Sequence, residues 1–104
     1  MVDMPHHKLQ FGVIADDFTG AMDTGVQFAL CGLSTRVCLD GAFDPQDQVV
    51  VLTTDSRELD VDAASERAAQ AARRLANRRL YKKIDSTIRG HVGAEIVAVL
   101  RETD

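Results

Sequence analysis

The chain has 104 residues, 45% of them apolar and 27% charged, and a formal net charge of −4. That length suits one globular unit with a modest core, and the acidic balance speaks against non-specific binding to nucleic acid or to anionic membranes. Neither a signal peptide nor an apolar run long enough to span a bilayer is recognisable, so a cytoplasmic protein is expected.

Residues 1–10 read as a polar N-terminal tail, where the adjacent His6 and His7 make a poor metal site. Residues 11–16, FGVIAD, read as a short buried strand. Met22, Val26, Ala29, Leu30 and Leu33 then recur at helical spacing, and Gly32 is placed to end that helix in a left-handed turn. Cys31, near the helix end, and Cys38, in the next strand, are expected to be buried free thiols. Residues 35–40, TRVCLD, form a second strand, followed by a loop with Gly41, Asp44 and Pro45. Residues 48–55, QVVVLTTD, are apolar and β-branched, as in the interior of a parallel sheet.

Residues 61–78 are predicted to form a second helix. Its buried stripe is Val61, Ala64, Ala68, Ala71, Ala72 and Leu75, with Glu66, Arg67, Gln70, Arg73, Arg74 and Asn77 opposite. The seven arginines and lysines from Arg67 to Lys83 fall mostly on this helix and read as its solvated face. Residues 79–85, RLYKKID, form a fourth strand. Lys82 and Lys83 must point to opposite faces of it, so that only one can serve a site at the strand's end. From Gly90 onward, Val92, Ile96, Val99 and Leu100 mark a third helix. The order β-α-β-β-α-β-α predicts a three-layer α/β fold with a largely parallel sheet over residues 11–104.

In such a sheet, ligands bind beyond the carboxyl ends of the strands. Asp16, Asp17, Phe18 and Thr19 follow the first strand. Thr54, Asp55, Ser56 and Arg57 follow the third. Asp85, Ser86, Thr87, Arg89 and Gly90 follow the fourth. Acids, hydroxyls and arginines therefore gather at one edge, whereas the amino ends show no comparable enrichment. The fitting chemistry is recognition of a small hydroxylated acid. Carboxylates accept from hydroxyls and one can act as a general base, while arginine and Lys83 hold a carboxylate. The helix starts after Thr19 and Gly90 offer free N–H groups to an anion.

Structural roles compete with these. Asp17 or Thr19 could cap the first helix and Ser86 or Thr87 the last. Asp23 lies one turn further on, where it serves the helix dipole or reaches the same cleft. Asp40 and Asp60 read as loop and cap residues. The adjacent pair Asp16-Asp17 is harder to explain by capping, because one side chain suffices and the second adds repulsion. No phosphate-binding glycine loop of either common type is present.

The stretches IADDFTGAMDTG and YKKIDSTIRGHVGAEI resemble the N-terminal part of the four-carbon acid sugar kinase family, over Phe11 to about Leu100. The resemblance implies a kinase that uses ATP and Mg²⁺ to phosphorylate acids such as threonate, erythronate or 3-oxo-tetronate. This portion would hold the sugar acid, and a C-terminal kinase domain, missing from these residues, would hold the nucleotide. Asp16, Asp17 and Thr19 match the first signature, and of the two acids Asp17 is the candidate base, because it lies further past the strand and nearer the expected cleft. Lys83, Asp85, Ser86, Thr87, Arg89 and Gly90 match the second, and Asp55 and Arg57 join them at the third strand end. Ile88, where leucine is usual, reads as conservative, and His91, where asparagine is usual, as a change near the substrate. By itself such a partial domain is expected neither to phosphorylate sugar acids nor to bind ATP.

Other readings share some of these residues. A receiver domain would use Asp16, Asp17 and Asp55 as its acids, with Mg²⁺ between them and Lys83 as its lysine. A haloacid-dehalogenase-type phosphatase needs its first-strand acids two residues apart, and here they are adjacent. A non-catalytic binding module would need none of the phosphoryl chemistry.

Overall fold

The computed structural model describes residues 10–39, 42–84 and 87–103. It contains strands β1 (Phe11–Ala15), β2 (Thr35–Cys38), β3 (Val49–Thr53) and β4 (Arg79–Lys83), and helices α1 (Phe18–Leu30), α2 (Val61–Arg74) and α3 (Val92–Thr103). The strands form one parallel sheet in the order β2-β3-β1-β4. One face carries α1 and the other α2 and α3, which is the three-layer α/β arrangement expected.

Alternation along each strand divides the core in two. Val13, Ala15, Val49 and Val51 pack with Ala21 beneath α1. Ile14, Val50 and Leu52 pack with Ala68, Ala71, Ala72, Leu75 and Val99 beneath α2 and α3. Both faces of the central strands are covered, so their sequence shows a continuous apolar run rather than alternation. Each fully buried valine or isoleucine contributes on the order of 1.5–3 kcal/mol. The α2 stripe forms as expected, except that Val61 is exposed and Ala69 is buried.

The first helix faces otherwise than predicted. Met22, Val26, Ala29 and Leu30 are exposed, and Ala21, Thr24 and Gly25 are buried. Close approach is the physical reason. A Cβ on Gly25 would stand 2.9 Å from Val37 Cγ2, so the helix lies on the sheet through its smallest residues. The expectation of two buried thiols fails with it, since Cys31 is exposed and only Cys38 is buried.

The second helix stops at Arg74, not at residue 78. Leu75 N–H bonds back to Ala71 O and Ala72 O, and Asn77 turns left-handed at φ 73°, a common helix ending. Arg78 is thereby freed from the helix. It donates to the carbonyls of Asp47 (2.8 Å) and Pro45 (3.2 Å) and lies over the Phe43 ring with Arg74. Burial pushes the Arg78 guanidinium below its ordinary value, against the pull of Asp47. On α2 itself the solvated face holds, since Arg67, Arg73 and Arg74 are exposed, whereas Arg78 and Lys82, beyond the helix, are half-buried. Arg67 holds Thr54 O, Arg73 pairs with Glu66 and Glu102, and Lys82 pairs with Glu95. The amino end of the sheet, which seemed unremarkable in sequence, is clamped by Arg78.

Gly32 takes the left-handed turn expected of it, at φ 88°. Asp60 caps α2, its Oδ1 accepting from Ala63 N at 2.8 Å. Asp40 lies outside the described residues.

Candidate functional site

Register sets the site. Ala15 of β1 lies opposite both Thr53 of β3 and Lys83 of β4. Three neighbouring strands thus end flush, and the residues that follow share one edge. Asp16 O accepts from Ser56 N at 3.1 Å, tying the first strand's exit to the loop after the third.

A cavity of about 200 Å³ opens at this edge. Asp16, Asp17, Thr19 and Gly20 line it from the β1–α1 junction, and Asp23 from the next turn of α1. Arg57 enters from the β3–α2 loop, Lys83 from the end of β4, and Arg89 from the segment before α3. Among the described residues, three acids and three bases line one small polar space. Its volume is below the roughly 300–1,000 Å³ of sites for drug-sized ligands, which leaves room for a small molecule only. A larger hollow of about 600 Å³ adjoins it between α1 and β4, sharing Asp23 and Lys83. Its other walls include Val26, Phe28 and Tyr81. It lacks the convergent acids and arginines, so the smaller cavity is the candidate site.

Arg57 organises the centre. Its Nη2 donates to Asp16 Oδ1 at 3.0 Å, and its Nη1 lies 3.3 Å from Asp17 Oδ2. The bond to Asp16 raises the guanidinium above its ordinary value, aided by the charges of Asp16 and Asp17 and opposed by desolvation and by Arg89. The repulsion that made two adjacent aspartates puzzling is offset by this shared cation.

The two acids differ. Asp16 is almost fully covered, its side chain 5% exposed, whereas that of Asp17 is 32% exposed. Asp17 also caps α1, its Oδ1 accepting from Gly20 N at 2.9 Å. The structural and functional readings of Asp17 therefore coexist on one side chain. The helix begins at Phe18, ahead of Thr19, and the Asp17 carboxylate already takes the Gly20 N–H of its first turn. The anion site expected at the start of α1 is to that extent filled from within.

Other sequence-predicted residues are placed as follows. Gly90 (φ 86°) lies against the acids, and a Cβ there would stand 3.0 Å from Asp16 Oδ2. Asp55 is exposed at the same sheet edge, but is not among the residues lining the cavity. Thr87 is exposed and also not among them. Asp85 and Ser86 lie outside the described residues. Lys82 and Lys83 diverge as predicted, Lys83 to the cavity and Lys82 to the opposite face. His91 places Nε2 2.6 Å from Leu59 O and does not line the cavity. Ile88 adopts φ 57°, a region where β-branching is penalised, so this position is less conservative than it reads. Sequence reasoning missed Glu95, a charged residue inside an apolar helical pattern that is 1% exposed.

Among the described residues, no three acids, histidines or cysteines gather as a metal site. No helix there is long and apolar enough to cross a membrane. The strand order also separates this fold from the receiver arrangement. There the first strand lies between the second and third, whereas here β1 lies between β3 and β4.

Residues 11–104 match the family model described as a sugar-binding N-terminal domain. The chain is 43% identical to a D-threonate kinase of Salmonella typhimurium, covering 86% of this chain and 22% of that protein. It is 42% identical to a D-erythronate kinase of Heliobacterium modesticaldum, covering 85% and 22%. It also superposes on a crystal structure of a domain of unknown function from Bordetella bronchiseptica, determined with bound citrate as a domain-swapped dimer. The TM-score is 0.82 at 41% identity, over 88% of this chain and 25% of that one. The chain thus spans about a fifth to a quarter of the length of the relatives it matches.

Proposed function

Because the chain belongs to the family of sugar-binding N-terminal domains, we propose that its cavity binds a four-carbon sugar acid and presents one hydroxyl for phosphorylation by an ATP-dependent kinase. The observation that carries this reading is the cavity itself, where Asp16, Asp17 and Thr19 face Arg57, Lys83 and Arg89. A sugar acid is a carboxylate joined to a row of hydroxyls. Lys83 and Arg89 supply positive charge for the carboxylate, while Asp17 and Thr19 supply acceptors for the hydroxyls. Asp17 is the better general base because its carboxylate reaches solvent, whereas Asp16 is enclosed by Arg57 and Gly90. Citrate, bound by the Bordetella relative, is also a hydroxylated carboxylic acid.

ATP and Mg²⁺ enter through the kinase names of the relatives. The residues of this chain do not fit either group. The sequence has no phosphate-binding glycine loop, and among the described residues the adjacent acids Asp16 and Asp17 are both turned to Arg57. The nucleotide is assigned to the C-terminal kinase domain that completes the enzyme, and this chain's own part is to bind the acid, orient its hydroxyls and accept one proton.

Titration of the isotope-labelled chain with D-threonate or D-erythronate tests the reading. Resonances of Asp17, Thr19 and Arg57 are expected to shift, and Arg89→Ala to weaken the response. Shifts confined to the apolar hollow beside Tyr81, or none with either acid, would overturn it.

A further inference from the structure

On the face of the sheet away from α1, a second charged group lies unused by the chemistry proposed above. Glu95, on α3, is almost fully buried. Its Oε2 accepts from Ser56 Oγ at 2.7 Å. Its Oε1 lies 3.1 Å from Lys82 Nζ, though not aligned as a hydrogen bond. A buried ion pair is weak evidence for stability, because apolar replacements of similar size often hold a fold as well. Its connections suggest another use.

Ser56 is the link. It is fully buried, and its N–H donates to Asp16 O. Its one hydroxyl proton goes to Glu95. Thr54 Oγ1 therefore donates to Ser56 Oγ at 2.6 Å in preference to Ala15 O at 3.3 Å. The next residue along is Arg57, bridging Asp16 and Asp17. A second tie runs in parallel, from His91 to Leu59 O, and since a carbonyl only accepts, the His91 nitrogen carries the proton. The start of α3 is thus fastened to the 54–59 loop at two points. Gly90, just before His91, packs on the same loop, where a Cβ would stand 3.5 Å from Arg57 Cγ.

We propose that Glu95 is a positioning residue: through Ser56 it holds the turn that lays Arg57 across Asp16 and Asp17, and through α3 it fixes how far Arg89 stands from Arg57. Its bearing on sugar-acid binding rests on the function proposed above, whereas the positioning itself is a property of the unliganded chain.

Hydrogen exchange of the Arg57 side chain, followed by NMR in the 104-residue chain, separates positioning from general support. Glu95→Leu and Ser56→Ala both break the link, and Ser56→Ala removes little volume should the first variant not fold. Each is expected to speed Arg57 exchange about tenfold while the amides of Val13 and Val51 keep their protection. Glu95→Gln retains an acceptor for Ser56 and is expected to restore slow exchange. Glu102→Gln loosens the Arg73 pair on the same side of the sheet, and is expected to leave Arg57 unaffected. Unchanged Arg57 exchange in Ser56→Ala, or acceleration only in step with the sheet amides, would overturn the proposal. D-threonate titrated into the same samples reads the second level, with an expected loss of affinity of about tenfold in the link-breaking variants. If the unsubstituted chain ignores D-threonate while Arg57 responds as described, the substrate reading fails and the positioning stands.

Discussion

The guanidinium of Arg57 lies 3.0 Å from the Asp16 carboxylate, and both side chains are largely withdrawn from water, at 17% and 5% exposure. Removing one member of such a pair leaves the other enclosed without its counter-charge. Arg57→Ala is therefore expected to destabilise the fold by about 2 kcal/mol, toward the lower end for a covered pair because Arg57 keeps some contact with solvent. Arg57→Lys should recover only part of this, since one ammonium cannot span two carboxylates as a planar fork does. Urea unfolding of both variants at neutral pH checks the order, and equal stability of Arg57→Ala and the unsubstituted chain would contradict it.

The segment before α3 carries backbone strain next to the site. Ile88 sits at φ 57°, where a branched Cβ meets the following carbonyl. Ile88→Asn should raise stability by about 1 kcal/mol, because asparagine tolerates this conformation. Gly90→Ala should do the reverse, costing about 1–2 kcal/mol from its positive φ, with a further cost from the added methyl 3.0 Å from Asp16 Oδ2. Thermal melts of the two variants should move in opposite directions. A fall in melting temperature for Ile88→Asn would show that the isoleucine side chain contributes more than its backbone costs.

At the other end of the sheet, the Arg36 guanidinium hydrogen-bonded to Asp47 holds that carboxyl below its ordinary 3.8. A depressed carboxylate stabilises the fold above its unfolded value, and loses that contribution as pH falls through the folded one. Asp47→Asn should accordingly be less stable than the unsubstituted chain at pH 7, with the difference shrinking once pH drops below 3.8. The exposed Arg36 makes this a small effect, further reduced by salt. Paired denaturation curves across that range provide the check, and a gap that widens in acid would reverse the sign.

Much of this was legible in the sequence, for reasons specific to each part. The apolar strands and the Asp60 cap announce β1, β3 and α2 directly. The rule that ligands gather at strand carboxyl ends brings Asp16, Asp17, Arg57 and Arg89 to one edge, but it offers Asp55 and Thr87 equally, and these do not line the cavity. The orientation of α1 was not legible, because hydrophobic periodicity favours Met22, Val26 and Leu30, whereas close packing favours Ala21, Thr24 and Gly25. Arg78 was hidden by running α2 through Asn77, which in fact ends the turn. Glu95 was hidden because a single glutamate in an amphipathic helix normally faces water, and only the positions of Ser56 and Lys82, distant in sequence, explain its burial.

Asp16 and Asp17 should separate kinetically in a complete kinase that carries this domain. Asp17→Asn keeps the helix cap, since asparagine caps as well as aspartate, so it removes the charge with little structural loss. If Asp17 takes the proton of the attacking hydroxyl, this variant should lose roughly 10²–10⁴-fold in kcat with little change in KM. Asp16→Asn instead weakens the bond that anchors Arg57, leaving Asp17 in place but the surrounding charges less well fixed. Its expected signature is a raised KM with a smaller change in kcat. Steady-state kinetics of both variants with D-threonate is the measurement. Near-normal constants for both would reduce Asp17 to a helix cap and Asp16 to the partner of Arg57, and a larger kcat loss for Asp16→Asn than for Asp17→Asn would exchange their roles.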